Sequence, residues 1–260
     1  MKVVPYILVI GLGVIVQNFA EAAVKTQDIE YRDGNTVLEG YLAYDDAIKG
    51  KMPAVIIVHE WTGVGPYVKK RAEQIAGLGY VGFAIDIYGK GIRPADTNEA
   101  AKQAAIYRGD RQLMRRRAIA GLEQVKKYSF VDPNRIAAMG YCFGGGVTLE
   151  LARSGADLKG VVSFHGNLDT PNPDDAKNIK GKVLVCHGAD DPYVNAEQVA
   201  AFQNEMRKAK ADWQMIIFGN AVHGFTNPEN GSDPSKGAAY NKEADMRSWE
   251  AMKEFFKEIF

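Results

Sequence analysis

Three residue types suited to nucleophilic chemistry stand at three separated places in the chain. The segment Gly140-Tyr141-Cys142-Phe143-Gly144-Gly145-Gly146 sets a thiol between glycines directly after the apolar run Arg135 to Met139. This Gly-x-Cys-x-Gly pattern is that of a nucleophile elbow, with cysteine where serine is commoner. A nucleophile on so tight a strand-to-helix turn needs small residues two before and two after it, so that strand and helix can approach. Cys142 would then lie at a helix N-terminus, whose positive end favours a thiolate. The competing reading is a buried structural cysteine beside a glycine-rich packing contact. Further along come His187-Gly188-Ala189-Asp190-Asp191-Pro192 and then Gly219-Asn220-Ala221-Val222-His223-Gly224-Phe225. The chain order is therefore nucleophile, acid, histidine. His223 would take and return the proton, and Asp191 would orient the imidazole and stabilise its cationic form. Asp190 competes with Asp191, and one of the two is expected to serve as a turn aspartate.

A fourth segment, His59-Glu60-Trp61-Thr62-Gly63-Val64-Gly65, follows the first apolar strand. The backbone N–H groups of Trp61 and Phe143 are the expected oxyanion donors. Glu60 is an unusual acid here, its ordinary alternative being a solvated loop carboxylate. His59, His165 and His187 each follow a buried strand. They are expected to be packing residues, because only His223 follows the last strand. Cys186 lies within an apolar strand and reads as an inert thiol. The glycine-rich turn lacks the Gly-Lys-Ser/Thr ending of a phosphate loop, no Gly-x-Gly-x-x-Gly opens the first helix, and no zinc-like ligand spacing occurs. No cofactor and no metal are expected.

The elements that must carry these residues follow from hydrophobic patterning. Thr36 to Tyr44 alternates in part and predicts an exposed antiparallel strand. Ala54 to Val58, Val81 to Ile85, Arg135 to Met139, Val161 to Phe164, Lys182 to Cys186 and Trp213 to Phe218 read as strands, most of them covered on both faces. Helices are expected over about Val68–Leu78, Thr97–Tyr107 and Asp110–Lys127, from the glycine turn to Arg153, and over Ala196–Ala209 and Ala239–Ile259, with Thr97 a weak cap. Strands alternating with helices of this length imply an α/β fold, a mostly parallel central sheet with helices on both faces. The ligand site belongs beyond the carboxyl ends of such strands, where all the segments above lie. Their order is that of the α/β-hydrolase fold.

The 260 residues carry 32 Lys+Arg against 32 Asp+Glu, so no basic field exists to gather nucleic acid or anionic membrane. The adjacent Arg115, Arg116 and Arg117 read as a solvated helix face. Two cysteines cannot make a disulfide framework. At the N-terminus, Met1-Lys2, an apolar run from Val3 to Val16, and Ala20-Glu21-Ala22 read as a secretory signal peptide over residues 1–22, with an uncleaved anchor as the alternative. Residues 23–260 would form a single domain in a secreted or periplasmic protein, without membrane contact after cleavage.

With these segments in view, the sequence resembles the dienelactone hydrolase family from about Asp28 to Phe260. The resemblance rests on His59-Glu60-Trp61-Thr62-Gly63, Asp86-Ile87-Tyr88, the Cys142 turn, the Gly188 to Val194 turn and His223-Gly224-Phe225. It implies a Cys142–His223–Asp191 triad, a Glu60 that contacts the thiol and helps form the thiolate, and hydrolysis of esters or lactones through an acyl-enzyme. Members that act on dienelactone hold its carboxylate with two arginines. At those places this chain has Lys90, a point charge without a guanidinium fork, and Asn227. The expected substrate is therefore a neutral or bulky aryl ester, with Trp61, Tyr88 and Phe143 as aromatic walls and Tyr88, Lys90 and Asn227 as contacts. The chain is also similar to arylester- and phosphotriester-cleaving members, which implies phosphotriester hydrolysis as a secondary activity. Thioester or peptide hydrolysis, or a catalytically silent binding protein on this scaffold, are the alternatives.

Overall fold

A computed structural model describes residues 24–260; the expected signal segment lies outside the described residues. Eight strands form one sheet: β1 (Val24–Asp33), β2 (Thr36–Asp45), β3 (Met52–Val58), β4 (Val81–Ile85), β5 (Val131–Tyr141), β6 (Gly160–Phe164), β7 (Lys182–Gly188) and β8 (Trp213–Phe218). Their order across the sheet is β1-β2-β4-β3-β5-β6-β7-β8. The β1–β2 and β2–β4 pairs are antiparallel and all the others parallel. The helices are α1 (Pro66–Ala76), α2 (Thr97–Gly109), α3 (Arg111–Val125), α4 (Phe143–Arg153), α5 (Ala196–Ala209) and α6 (Lys242–Ile259). This is the α/β-hydrolase arrangement.

The continuous apolar strands are the covered ones. Every residue of β3, β4 and β6 is buried. Their side chains divide between two apolar clusters, one on each face of the sheet. One gathers Ile56, Phe83, Leu122 and Val147, the other Ile57, Met139, Val162 and Phe256. At about 25 cal/mol per Å² of apolar surface removed from water, these two layers are the main stabilising contribution.

Three expectations change. Arg115 and Arg117 are buried and paired, with Glu150 and Asp33, so of the three adjacent arginines only Arg116 is exposed. Strand β1 was not anticipated, because Lys25-Thr26-Gln27-Asp28 offers no apolar alternation. Its ten-residue pairing with β2 turns that strand from a sheet edge into an interior strand. The cap of α2 is Asp96, whose side chain accepts from the Glu99 N–H at 2.9 Å, rather than Thr97. Among the described residues no helix is long and apolar enough to cross a membrane, and no acidic, histidine and cysteine group could hold a metal ion.

Candidate active site

Strand β5 runs into α4 through Cys142 alone, whose φ of 54° and ψ of −117° lie in a region side chains rarely adopt. The turn survives because its flanks are glycine. A Cβ on Gly140 would stand 2.1 Å from the Gly144 carbonyl oxygen, and one on Gly144 would stand 2.3 Å from that of Val58. Such strain, over-determined by its surroundings, belongs to functional turns. Cys142 retains 8% exposure at the carboxyl ends of the strands.

The loop after β7 brings Asp191, buried, to His223 in the loop after β8, with Asp191 Oδ2 to His223 Nδ1 at 2.8 Å. The other carboxylate oxygen accepts from the N–H groups of Tyr193 at 2.9 Å and Val194 at 3.3 Å, which fixes its orientation. Asp190 is exposed, so the choice between the two aspartates falls to Asp191. Burial opposes charge on His223, but Cys142 beside it and the carboxylate of Asp191 prevail, and its pKa is pushed up to about 10.

Among the described residues, the backbone N–H groups of Trp61 and Phe143 donate to no protein acceptor. Phe143 is the first residue of α4, so its N–H points out of the helix end. The Trp61 carbonyl accepts the Tyr88 hydroxyl at 3.0 Å, which holds that loop against the elbow.

Glu60 sits nearby with its Oε2 accepting from Asn227 Nδ2 at 2.7 Å. Burial raises its carboxyl to about 7 against the lowering effect of that hydrogen bond and of His223. The family resemblance implied a Glu60–thiol contact; among the described residues the carboxylate's hydrogen-bond partner is Asn227 instead.

The three expected substrate contacts are otherwise occupied. Tyr88 is 2% exposed, with its hydroxyl committed to Trp61. Asn227 is buried and uses both ends of its amide, donating to Glu60 and accepting from the Glu229 N–H at 3.0 Å. Lys90 pairs with Glu30 and, at 3.6 Å, with Glu39. Its ammonium therefore turns toward carboxylates of β1 and β2.

His59 and His187 are buried, as expected of packing residues. His59 is fully buried, accepts from the Ile87 N–H at 3.2 Å and is lowered to about 4 by burial, against the raising effect of Asp86. His187 is buried and lowered by the same cause. His165 has partners the sequence gave no sign of. Its Nδ1 accepts from the Cys142 N–H at 3.1 Å, and its Nε2 stands 2.7 Å from Thr226 Oγ1. Thr226 in turn meets the Tyr67 hydroxyl at 2.7 Å, and its carbonyl accepts from Arg71 at 2.9 Å. Arg71 is anchored by Asp245 of α6 at 2.6 Å. The only sequence signal for this set is the position of Thr226, next to the Phe225 of the histidine loop. Cys186 is a free, fully buried thiol, pushed up by burial alone.

Comparison with known proteins agrees with this fold. A solved dienelactone hydrolase-like promiscuous phosphotriesterase from metagenomic libraries is 41% identical and superposes with a TM-score of 0.88, covering 92% of this chain and 99% of that one. A dienelactone hydrolase structure from Klebsiella pneumoniae shares the fold at 22% identity and a TM-score of 0.78, over 90% of this chain and 99% of its own. An Escherichia coli relative named for carboxymethylenebutenolidase is 26% identical over 233 residues, 85% of this chain and 82% of the relative. The sequence model of the dienelactone hydrolase family matches residues 38–260. Elbow, sheet order and sequence thus converge: the chain belongs to the dienelactone hydrolase family of hydrolases.

Proposed function

We propose that this hydrolase cleaves carboxylic esters or lactones, neutral aryl esters foremost, through a covalent intermediate on Cys142. The observation that carries the reading is the Asp191–His223 hydrogen bond of 2.8 Å, with its imidazole beside the strained Cys142. The thiolate attacks the ester carbonyl, and the oxyanion accepts from the N–H groups of Phe143 and Trp61. The imidazolium of His223 protonates the departing alkoxide or phenoxide, leaving a thioester on Cys142. Neutral His223 then takes a proton from water, the hydroxide attacks the thioester, and the thiolate departs with the imidazolium restored. Asp191 holds one tautomer throughout.

Neutral substrates fit because Lys90 and Asn227 are spent on Glu30, Glu39 and Glu60. Phosphotriester cleavage is the proposed secondary activity. A P=O group presents the same kind of oxygen to the two N–H donors, and a 41%-identical structure bears the name of a promiscuous phosphotriesterase. We also propose export, with cleavage after Ala22; the mass of the protein recovered outside the cytoplasm tests it, and an intact Met1 overturns it.

A panel of p-nitrophenyl esters, lactones and aryl phosphotriesters on the pure protein tests the activity, with Cys142→Ala as control. Turnover of aryl esters with a burst that traps an acyl group on Cys142 is expected. Turnover that survives Cys142→Ala, or none on any ester or lactone, overturns the reading.

A further inference from the structure

We infer that His165 is a positioning residue that ties the turn of the nucleophile to the loop of the base. This rests on Cys142 and His223 being that nucleophile and base, and goes beyond it by assigning a third histidine a defined task. The argument starts from the two ring nitrogens. Nδ1 shares the backbone N–H of Cys142, at 3.1 Å, with the Phe164 carbonyl, also at 3.1 Å; facing that donor, it carries no proton. The proton of the neutral ring is then on Nε2, which donates to Thr226 Oγ1 at 2.7 Å. One imidazole therefore spans from the elbow to the loop that carries His223, three residues before Thr226.

The surroundings hold the ring in that one state. It is fully buried, and burial together with the charge on His223 and Arg71 keeps it neutral. Its plane stands edge-on to His223 with centroids 5.3 Å apart, and edge-on to Phe225 at 5.1 Å. Beyond Thr226, the Tyr67 hydroxyl and the Arg71 guanidinium pin the loop to α1 and α6. The backbone of His165 itself has a φ of 39°, the left-handed region, where a bulky residue is held only by its contacts. Burial alone asks for partners on both ring nitrogens, but not that one lie on the elbow and the other on the loop of the base, nor for this backbone. A ring that measures the distance between nucleophile and base accounts for both.

The test reads the thiol directly. Iodoacetamide alkylation of Cys142 is followed over pH in the full-length protein, together with kcat and KM on a p-nitrophenyl ester. His165→Phe keeps a ring and loses both hydrogen bonds, and is expected to slow alkylation and kcat by about tenfold or more with KM nearly unchanged, the scale for misplacing a reacting group by a fraction of an ångström. His165→Asn puts an amide oxygen where Nδ1 stood and suits a positive φ, so it should recover most of the alkylation rate. Thr226→Val should give part of the same loss, and the Thr226→Val, His165→Phe double variant no more than His165→Phe alone, since both act through one ring.

A folded His165→Phe with the alkylation rate and pH profile of wild type overturns the inference. So does a His165→Asn as slow as His165→Phe, or additive losses in the double variant. Should His165→Phe fail to fold, Thr226→Val decides, and an unchanged alkylation rate there overturns the inference equally. Alkylation needs no ester, so a wild type without ester turnover refutes the hydrolase reading and leaves this result standing.

Discussion

The Glu60 carboxylate is held by the side-chain amide of Asn227, Oε2 to Nδ2 2.7 Å, on the loop that follows His223. This neutral donor leaves the carboxylate largely uncompensated, and burial raises it to about 7. At neutral pH the group is therefore near half-protonation. It can take up or give up a proton at little cost, as a solvated loop carboxylate could not.

Glu60→Gln removes that proton site while keeping the shape and the hydrogen-bonding reach. Acylation of Cys142 should slow, read as the burst rate in stopped flow with an activated aryl ester. Hydrolysis of the preformed acyl-enzyme, driven by His223, should change less. An unchanged burst rate reduces Glu60 to a structural carboxylate. Stability supplies a second reading. A carboxyl whose folded pKa lies above its unfolded value stabilises the fold below the unfolded pKa, and that contribution is lost as pH rises through the folded one. For Glu60 the window runs from about 4.5 to about 7. The difference amounts to at most about 3 kcal/mol, so Glu60→Gln should melt several degrees above wild type at pH 8 and close to it at pH 4.

His223 owes its raised pKa to a neighbour that can be deleted. Burial alone would lower it; Cys142 is the foremost cause that raises it to about 10. In Cys142→Ala the Asp191 hydrogen bond remains but the sulfur charge is gone. The imidazole should then titrate well below 10, toward the usual histidine range. Histidine NMR titration of the two proteins measures the change among four resonances. Identical titration in both would remove the thiolate–imidazolium pair. In wild type the same pair places the alkaline limb of kcat/KM near pH 10, where the imidazolium loses the proton it must give the leaving group.

His223→Ala should lower ester turnover by about a thousandfold or more with the fold intact, the scale for loss of a triad base. His59, His165 and His187 are too deeply buried and too far lowered to replace it. Activity above a tenth of wild type, measured with p-nitrophenyl acetate, would return the base to one of them.

How much of this was legible depends on whether the information was local. The elbow was, because Gly140 and Gly144 are demanded by contacts within one turn, and the parallel strands were, because burial on both faces writes a continuous apolar run. The order of Cys142, Asp191 and His223 pointed to an aspartate and a histidine that the fold sets 2.8 Å apart, and the preference for Asp191 over Asp190 fits the burial of the first and the exposure of the second. What failed was partnership at long range. Lys90 is a cation in the right segment, but its charge is taken by Glu30 and Glu39 on strands that sequence patterning half missed. Asn227 and Tyr88 were placed near the site and assigned to substrate, while their polar atoms serve Glu60 and Trp61. His165 is the same case in reverse: its apolar strand said packing, and its two polar partners lie 23 and 61 positions away.

Asn227→Arg tests whether that loop position sets both the charge of Glu60 and the preference for neutral substrates. A guanidinium there would replace one neutral hydrogen bond with a charged, forked one and stabilise the carboxylate. The Glu60 pKa should fall from about 7 toward or below its unfolded value. The stability that wild type loses between pH 4.5 and 7 would then be retained, so the variant should melt above wild type at pH 8 and lose that advantage at pH 4. The second consequence concerns substrate. Spare donors of the fork would face the site beside the elbow, and kcat/KM for an aryl ester with a carboxylate on its acyl chain should rise relative to the neutral ester of the same length. Thermal melts across pH and the ratio of the two rate constants check the two effects separately. A folded variant with the melting profile of wild type would mean that Asn227 does not control the Glu60 proton, and an unchanged ratio would mean that its amide has no part in excluding anionic esters.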